Sequence, residues 1–263
     1  MNLTLLGSIA SLAYMGSSLL IFRSIKKKQG TNYALYLTWL AAALHSAYHV
    51  ENIIQLNTLN FSFFNTASIV SLLVALIVLV AAINKPVEKL GIALFPLAAL
   101  MLCLSILFPE NTGDMQSYDW KMLTHIFSSI IAFSLLNIAA FQACLLAIQD
   151  YQLRKHKPKK LIQSLPPLQT MESLLFQMIA TGMIFLSISL ISGFIFVEDL
   201  FAQQLGHKTI LSILAWIIFS GLLLGRSFYG WRGQTAIRWT LFGFASLLLA
   251  YFGSKLVYEF ILN

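Results

Sequence analysis

The sequence predicts an all-α fold, a polytopic membrane protein with a bundle of about eight transmembrane helices. Of its 263 residues 58% are hydrophobic and only 10% are charged, and mean hydropathy is +0.78. Soluble domains, by contrast, carry about 25% charged residues. Apolar runs of about 20 residues, long enough to cross a hydrocarbon core about 30 Å thick, recur along the whole chain. We therefore expect residues 1–263 to form a single integral membrane domain.

The predicted spans follow one another with short polar connections. The first lacks the basic segment and the small-residue cleavage site of a signal peptide, and its positive charges follow it, so we interpret it as a span. Trp120, before the fifth span, is a predicted interfacial anchor. The eight predicted spans are residues 2–22, 31–54, 64–83, 90–108, 121–148, 173–197, 208–225 and 236–259.

The placement of lysine and arginine predicts the orientation of the chain. Four connections hold 14 of the 17 basic residues, and the opposite side holds seven of the ten acidic residues. Because basic loops face the cytoplasm, both termini are predicted on the outer, periplasmic side. The net charge of +7 is therefore a topology signal, and no nucleic-acid partner is expected. The basic connections are "RSIKKKQ", "NKPVEK", "LRKHKPKK" and "GRSFYGWRGQTAIR".

Histidines concentrate in the outer half of this predicted topology. His45 lies about nine residues, or about 13 Å, from the outer end of its span, and His125 lies one turn into the fifth span. A neutral imidazole is a good ligand for haem (heme) iron, and two opposed histidines complete an axial pair. An interhelical hydrogen bond would satisfy His45 equally well. His49 and Glu51 are interpreted as reaching water at the interface.

Other chemistry has little support in the sequence. Cys103 and Cys144 are far apart and form no C-x-x-C motif, and there is no Gly-rich phosphate loop, H-E-x-x-H motif or pair of carboxylates within a span. We therefore expect no self-contained catalysis, and the protein is not predicted to be an enzyme. Arg226, Trp231 and Arg232 are interpreted as topology determinants and lipid-headgroup anchors.

Long segments of the sequence are similar to a known family. They include "LTHIFSSIIAFSLLNIAAFQACLLAIQDYQLRKHK", "LPPLQTMESLLFQMIATGMIFLSISLISG" and "HKTILSILAWIIFSGLLLGRSFYGWRGQTAIRWTLFGFASLLLAYFGSK". The elements "LPPL", "ME", "GWRG" and "AYFGSK" occur in order and at matching separations. On these segments the chain resembles the cytochrome c assembly protein family, of the CcsA and HemX kind. The resemblance extends from about the second span to the end.

The resemblance implies a haem-handling protein of the bacterial inner membrane. In that family, outer-face histidines bind haem beside a tryptophan-rich segment, the WWD segment, and the haem is passed to apocytochrome c. His125 falls on the family's histidine at the start of the corresponding span, and His207 falls near the end of the WWD segment. We predict His125 and His207 as axial ligands of the haem iron, with His45 as a reserve ligand or a partner of a ligand. Expected partners are haem, the lipid bilayer and other cytochrome c maturation or membrane proteins.

Two departures from the family pattern leave alternative functions open. The segment "VEDLFAQQLGHK" (197–208) contains no tryptophan, and Arg226 and Ser227 stand where the family has a histidine late in the seventh span. One alternative is an accessory or regulatory membrane subunit that kept the fold without haem. The other is an ion or proton pathway, or a transporter component, through His45, His49 and Glu51. It predicts a pH-dependent flux that depends on His45, without haem absorbance.

Overall fold

The computed structural model describes residues 3–27, 30–56, 59–109, 119–155, 160–196 and 206–253. All regular secondary structure within these ranges is helical. Eight long helices are joined by short connections, and one short helix, α6, lies between the fifth and sixth of them. The α-helices are α1 (Leu3–Lys27), α2 (Asn32–Leu56), α3 (Phe63–Asn84), α4 (Gly91–Leu107), α5 (Trp120–Arg154), α6 (Lys160–Gln163), α7 (Leu168–Phe196), α8 (Gly206–Tyr229) and α9 (Gln234–Leu248).

Each predicted span overlaps one long helix, which confirms the all-helical prediction; the last part of the eighth span, residues 254–259, lies outside the described residues. Six of these helices in the described part are long and apolar enough to cross a membrane. Helix α2 falls short of the required apolarity because it carries two histidines together with Glu51, Asn52 and Gln55. Helix α9 has 15 residues and continues as one π-helical turn, Leu249–Gly253. The orientation of the termini and the single membrane domain stay predictions.

The helices expose many large apolar side chains, and their largely apolar core also contains small polar residues. Leu12 and Phe228 are 71% and 78% exposed, whereas Thr38 and Ser134 are completely buried. In water this arrangement would leave large apolar surfaces unprotected. In a bilayer it is favourable, because lipid tails cover the apolar faces while small polar residues let helices approach and hydrogen-bond one another. The surface of the molecule is therefore that of a membrane protein.

The first of two compact units comprises residues 1–117 with 160–165. In it α1 packs against α2 and α4, and α3 packs against α2 and α4. Serine hydroxyls tie α1 to the backbone of α4: Ser18 Oγ donates to the Ile92 carbonyl at 2.9 Å, and Ser11 Oγ donates to the Ala99 carbonyl at 3.4 Å. These bonds hold α1 at one position along α4. That position decides which residues of α2 the other side chains of α1 contact.

The second unit comprises residues 118–159 with 166–263. Helix α5 packs against α7 and α9, and α8 packs against α7 and α9. Gly182 lets α7 approach α5 closely, since a Cβ atom there would lie 2.9 Å from the Leu136 side chain. Farther along α5, the Gln142 side-chain amide donates to the Met171 carbonyl at 2.7 Å. The α5–α7 pair is thus fixed both by close packing and by hydrogen bonds.

A carboxylate on α7 holds the turn between α8 and α9. Gly233 adopts a φ of +54°, a conformation that favours glycine, and its backbone N–H donates to Glu172 Oε1 at 3.0 Å. The same oxygen lies 3.6 Å from Arg226 Nη1, and the Arg226 guanidinium lies 4.7 Å from the centre of the Phe176 ring. The "ME" and "GWRG" elements of the sequence are therefore in direct contact.

We expect Glu172→Ala to destabilise the second unit by about 2 kcal/mol, because a partly buried Arg226 and a backbone N–H lose their shared acceptor. Thermal unfolding of the detergent-purified protein measures the effect. Glu172→Gln keeps an acceptor oxygen and should cost less. The control is Arg154→Ala, which removes a surface ion pair with Asp150 and should cost at most about 0.5 kcal/mol. Equal effects of Glu172→Ala and Arg154→Ala would contradict the proposed role of Glu172.

Candidate functional site

His125 lies one turn into α5 and is held by the backbone of α7. Its side chain is partly buried, and its Nδ1 atom lies 2.9 Å from the Ser189 carbonyl oxygen. A carbonyl only accepts hydrogen bonds, so Nδ1 carries the proton and donates it. In the neutral ring the lone pair is then on Nε2. Histidines that bind metals typically have this arrangement, with the second ring nitrogen donating to a carbonyl or carboxylate that orients the ring.

A glycine on α7 makes room for this ring. Gly193 lies one helical turn after Ser189, on the same face of α7. A Cβ atom at Gly193 would lie 3.1 Å from His125 Cε1 and 3.2 Å from Nδ1, closer than side chains normally approach. A larger residue at this position would displace the imidazole. The Ser189 carbonyl and the bare Gly193 backbone together set the position and orientation of His125.

Aromatic residues lie where the beginning of α5 meets the end of α7. The Trp120 ring meets the Phe196 ring at a centroid distance of 6.0 Å, and the Lys121 ammonium lies 5.7 Å from the centre of the Phe196 ring. Trp120 is largely exposed, and its position at a membrane interface, where indole rings are enriched, stays a prediction. The partly buried His125 thus lies close in sequence to aromatic surface that a flat, apolar ligand would favour.

His207 is the second residue of α8, and its side chain lies outside the described part of the chain. Helices α7 and α8 pack against each other, and His125 and His207 both belong to the second unit. The predicted axial pairing of these two histidines stays a prediction.

His45 and His49 form a buried cluster in the first unit. Their side chains are 0% and 7% exposed, and their rings stack at a centroid distance of 5.1 Å. Both Nε2 atoms meet the Ser68 hydroxyl of α3, at 2.9 Å for His45 and 3.2 Å for His49. The Tyr14 ring of α1 meets the His45 ring edge to face, 5.9 Å between centroids. Three helices thus contribute to one polar cluster, which we call the His45–His49 cluster.

The chemistry of one hydroxyl constrains the two imidazoles. Ser68 has a single proton, so it donates to one Nε2 atom and accepts a proton from the other. The two rings therefore hold opposite tautomers when both bonds form. The His45 Nδ1 atom and the Tyr14 hydroxyl are buried without a hydrogen-bond partner in the described structure. An imidazole enclosed in this way, with Nε2 already bonded, serves helix packing more directly than it serves a wide ligand such as haem.

The structure corrects one of the sequence interpretations and adds to another. His49 does not reach water, because it is buried and Ser68 and the stacked His45 ring enclose it. Arg226 has partners within the protein, since its Nη1 atom lies 3.6 Å from Glu172 Oε1 and donates to the Trp231 carbonyl at 3.3 Å; its role as a lipid-headgroup anchor stays a prediction. Both interpretations were based on position along a span, which does not show the partners that other segments supply.

Three residues of these sites could not be found from the sequence. Ser68, Ser189 and Gly193 are small residues within long apolar segments that contain many of the same kind. Ser189 contributes its backbone carbonyl, which every residue carries. Glu172 was detectable, since it stands in one of the quoted family elements, although its contacts were not.

Taken together, the fold and sites define a polytopic helical membrane protein with one oriented histidine near a helix end and two histidines buried between helices. A family model described as "Cytochrome C assembly protein" matches residues 31–262. The inner membrane protein YpjD of Escherichia coli K12 is 33% identical over 202 residues, covering 77% of this chain and 76% of YpjD. An uncharacterized 28.8 kDa protein of Azospirillum brasilense is 31% identical over 141 residues, covering 53% and 52%.

The chain belongs to the cytochrome c assembly protein family. Like YpjD, it is a multi-pass protein of the inner membrane, in agreement with its six apolar membrane-length helices in the described part. No solved structure is a significant match to the chain.

Proposed function

We propose that the protein binds haem near the outer leaflet of the inner membrane, with His125 and His207 as axial ligands, and acts in cytochrome c assembly or haem homeostasis. One observation carries this proposal: the hydrogen bond from His125 Nδ1 to the Ser189 carbonyl. It leaves Nε2 as the free lone pair and holds the ring against rotation, as iron ligation requires. Membership of the family supports haem as the ligand.

The residues present fit a haem group in their donor chemistry. Neutral imidazole is a common axial ligand, and the aromatic surface of Trp120 and Phe196 at the adjoining helix ends suits the apolar macrocycle. When bound, the iron supplies the redox chemistry. The protein orients the ligand through Ser189 and Gly193, limits access of water and carries out no catalysis of its own. His45 stays a reserve ligand in this proposal.

The absorption spectrum of the detergent-purified protein tests the proposal. Protein from cells with ample haem is measured oxidised and then reduced with dithionite. We expect sharp Soret and α bands in the reduced state, with the low-spin pattern of two axial histidines. The control is membrane extract from cells without the expressed protein, taken through the same purification.

A spectrum that stays featureless after addition of hemin would reject the haem-binding proposal. It would favour the accessory or regulatory subunit, since that alternative keeps the same fold and needs no cofactor. Haem bands of a high-spin, single-histidine type would keep haem binding and remove His207 from the axial pair.

A further inference from the structure

A groove runs along α8 and α9 in the second unit. It has a volume of about 410 Å³ and is lined by Ile218, Thr235, Arg238, Trp239 and Phe242. The volume lies within the range of about 300–1,000 Å³ that is typical of ligand sites in proteins. The groove is separate from the contacts of His125.

One end of the groove is polar and carries an uncompensated charge. Arg238 lies one turn after the start of α9, is exposed, and makes no hydrogen bond or ion pair with any residue that the structure describes. Arg226, in the same basic segment of the sequence, is by contrast paired with Glu172. Thr235 precedes Arg238 by three residues, so its hydroxyl lies on the same face of α9. A cation and a hydroxyl on one helix face are suitable ligands for a phosphate group.

The other end of the groove is apolar. Phe242 lies one turn beyond Arg238, about 6 Å farther along the helix axis at 1.5 Å per residue, and is 69% exposed. Trp239 lies against Gly221 of α8, where a Cβ atom would be 3.0 Å from its ring. Ile218 completes the apolar wall. Polar groups followed by apolar groups along one helix match a phospholipid, whose phosphate precedes its acyl chains.

We propose that this groove binds an anionic phospholipid, with the phosphate on Arg238 and Thr235 and one acyl chain along Trp239, Phe242 and Ile218. The basic connection between α8 and α9 is predicted to face the cytoplasm. The cytoplasmic leaflet is rich in anionic lipid and attracts basic residues by about 1 kcal/mol each. An arginine that has no partner among the described residues, beside the Trp239 and Phe242 rings at that leaflet, selects a lipid with net negative charge over a zwitterionic one.

Native mass spectrometry of the delipidated protein in detergent tests the proposal. The protein is titrated with dioleoyl phosphatidylglycerol and, separately, with dioleoyl phosphatidylcholine. We expect about tenfold tighter binding of phosphatidylglycerol, reduced to within about twofold by Arg238→Gln. Arg23→Gln is the matched control, since this arginine of α1 is also exposed, lies on the same predicted side of the membrane and does not line the groove, and should keep the preference. Phe242→Ala should weaken both lipids about equally, which separates chain contacts from headgroup contacts.

Three outcomes would overturn the proposal. The first is equal affinity of the unmodified protein for the two lipids. The second is an equal loss of preference in Arg23→Gln and Arg238→Gln, which would indicate diffuse attraction to the basic side of the protein. The third is displacement of phosphatidylglycerol by equimolar inorganic phosphate or hemin in an Arg238-dependent manner, which would assign the groove to a small anion or to haem.

Discussion

Replacing His125 with alanine is expected to remove the low-spin haem bands and to weaken hemin binding more than about 100-fold. Loss of a residue that only orients a metal ligand already costs roughly 10–100-fold in metal affinity, and loss of the ligand itself should cost more. The measurement is a hemin titration of the purified variant, followed in the Soret region. Added imidazole should restore a low-spin spectrum to the variant, because it supplies the missing ligand without the protein side chain.

Two further variants make this prediction specific. Gly193→Val leaves His125 in place but adds atoms where a Cβ alone would lie 3.1 Å from the ring, and should weaken hemin binding roughly 10–100-fold. His156→Ala removes a histidine from the basic loop after the fifth predicted span and should leave hemin binding and the absorption spectrum unchanged. Unchanged absorbance in His125→Ala would remove this residue from the proposed site.

Replacing Ser68 with alanine is expected to destabilise the protein by about 2 kcal/mol. The substitution removes the one hydroxyl that hydrogen-bonds to both buried imidazoles. A buried polar group left without a partner costs about 1–3 kcal/mol of stability. At roughly 2–4 °C per kcal/mol, the thermal midpoint should fall by about 4–8 °C. Thermal unfolding in detergent, followed by tryptophan fluorescence, measures this shift. Ser68→Thr keeps the hydroxyl and should recover most of the stability.

Ser71 provides the matched control on the same helix. Its hydroxyl is also buried but donates only to the Ser68 carbonyl within α3, at 2.8 Å. Ser71→Ala should therefore cost less than about 1 kcal/mol. If Ser68→Ala retained full stability while abolishing a pH-dependent proton flux in proteoliposomes, the His45–His49 cluster would be a conduction path rather than a structural tie.

Most of the helical architecture was predictable from the sequence because a bilayer imposes one length on its spans. Helix α4, observed at Gly91–Leu107, deviates by one residue at each end from the predicted span 90–108. Helix α5 extends beyond its predicted span to Arg154, because charged residues continue a helix into water without cost to its hydrogen bonds. Apolarity indicates where a helix crosses the hydrocarbon, whereas backbone hydrogen bonding decides where it ends.

The face that each helix buries was not predictable. In a soluble helix the apolar side marks the core, but α3 is apolar over most of its surface and buries Asn65, Ser68 and Ser71 along with seven apolar residues. Lipid and protein core are equally apolar environments, so hydrophobic periodicity carries little information about packing. The polar contacts between helices could therefore not be predicted before the helices were placed side by side.

The histidines show the same division between sequence and structure. Their spacing alone places His45 and His49 on one helix face, four residues apart, and the resemblance alone singles out His125. One hydroxyl serves both buried rings, and a carbonyl of α7 orients His125. Both arrangements depend on residues that lie between 19 and 64 positions away in the chain. By itself the sequence determined the membrane class, the helices, the family and the chemistry available. Only the tertiary structure decided which histidine nitrogens are engaged, because hydrogen bonds depend on atomic separation, which packing between helices sets.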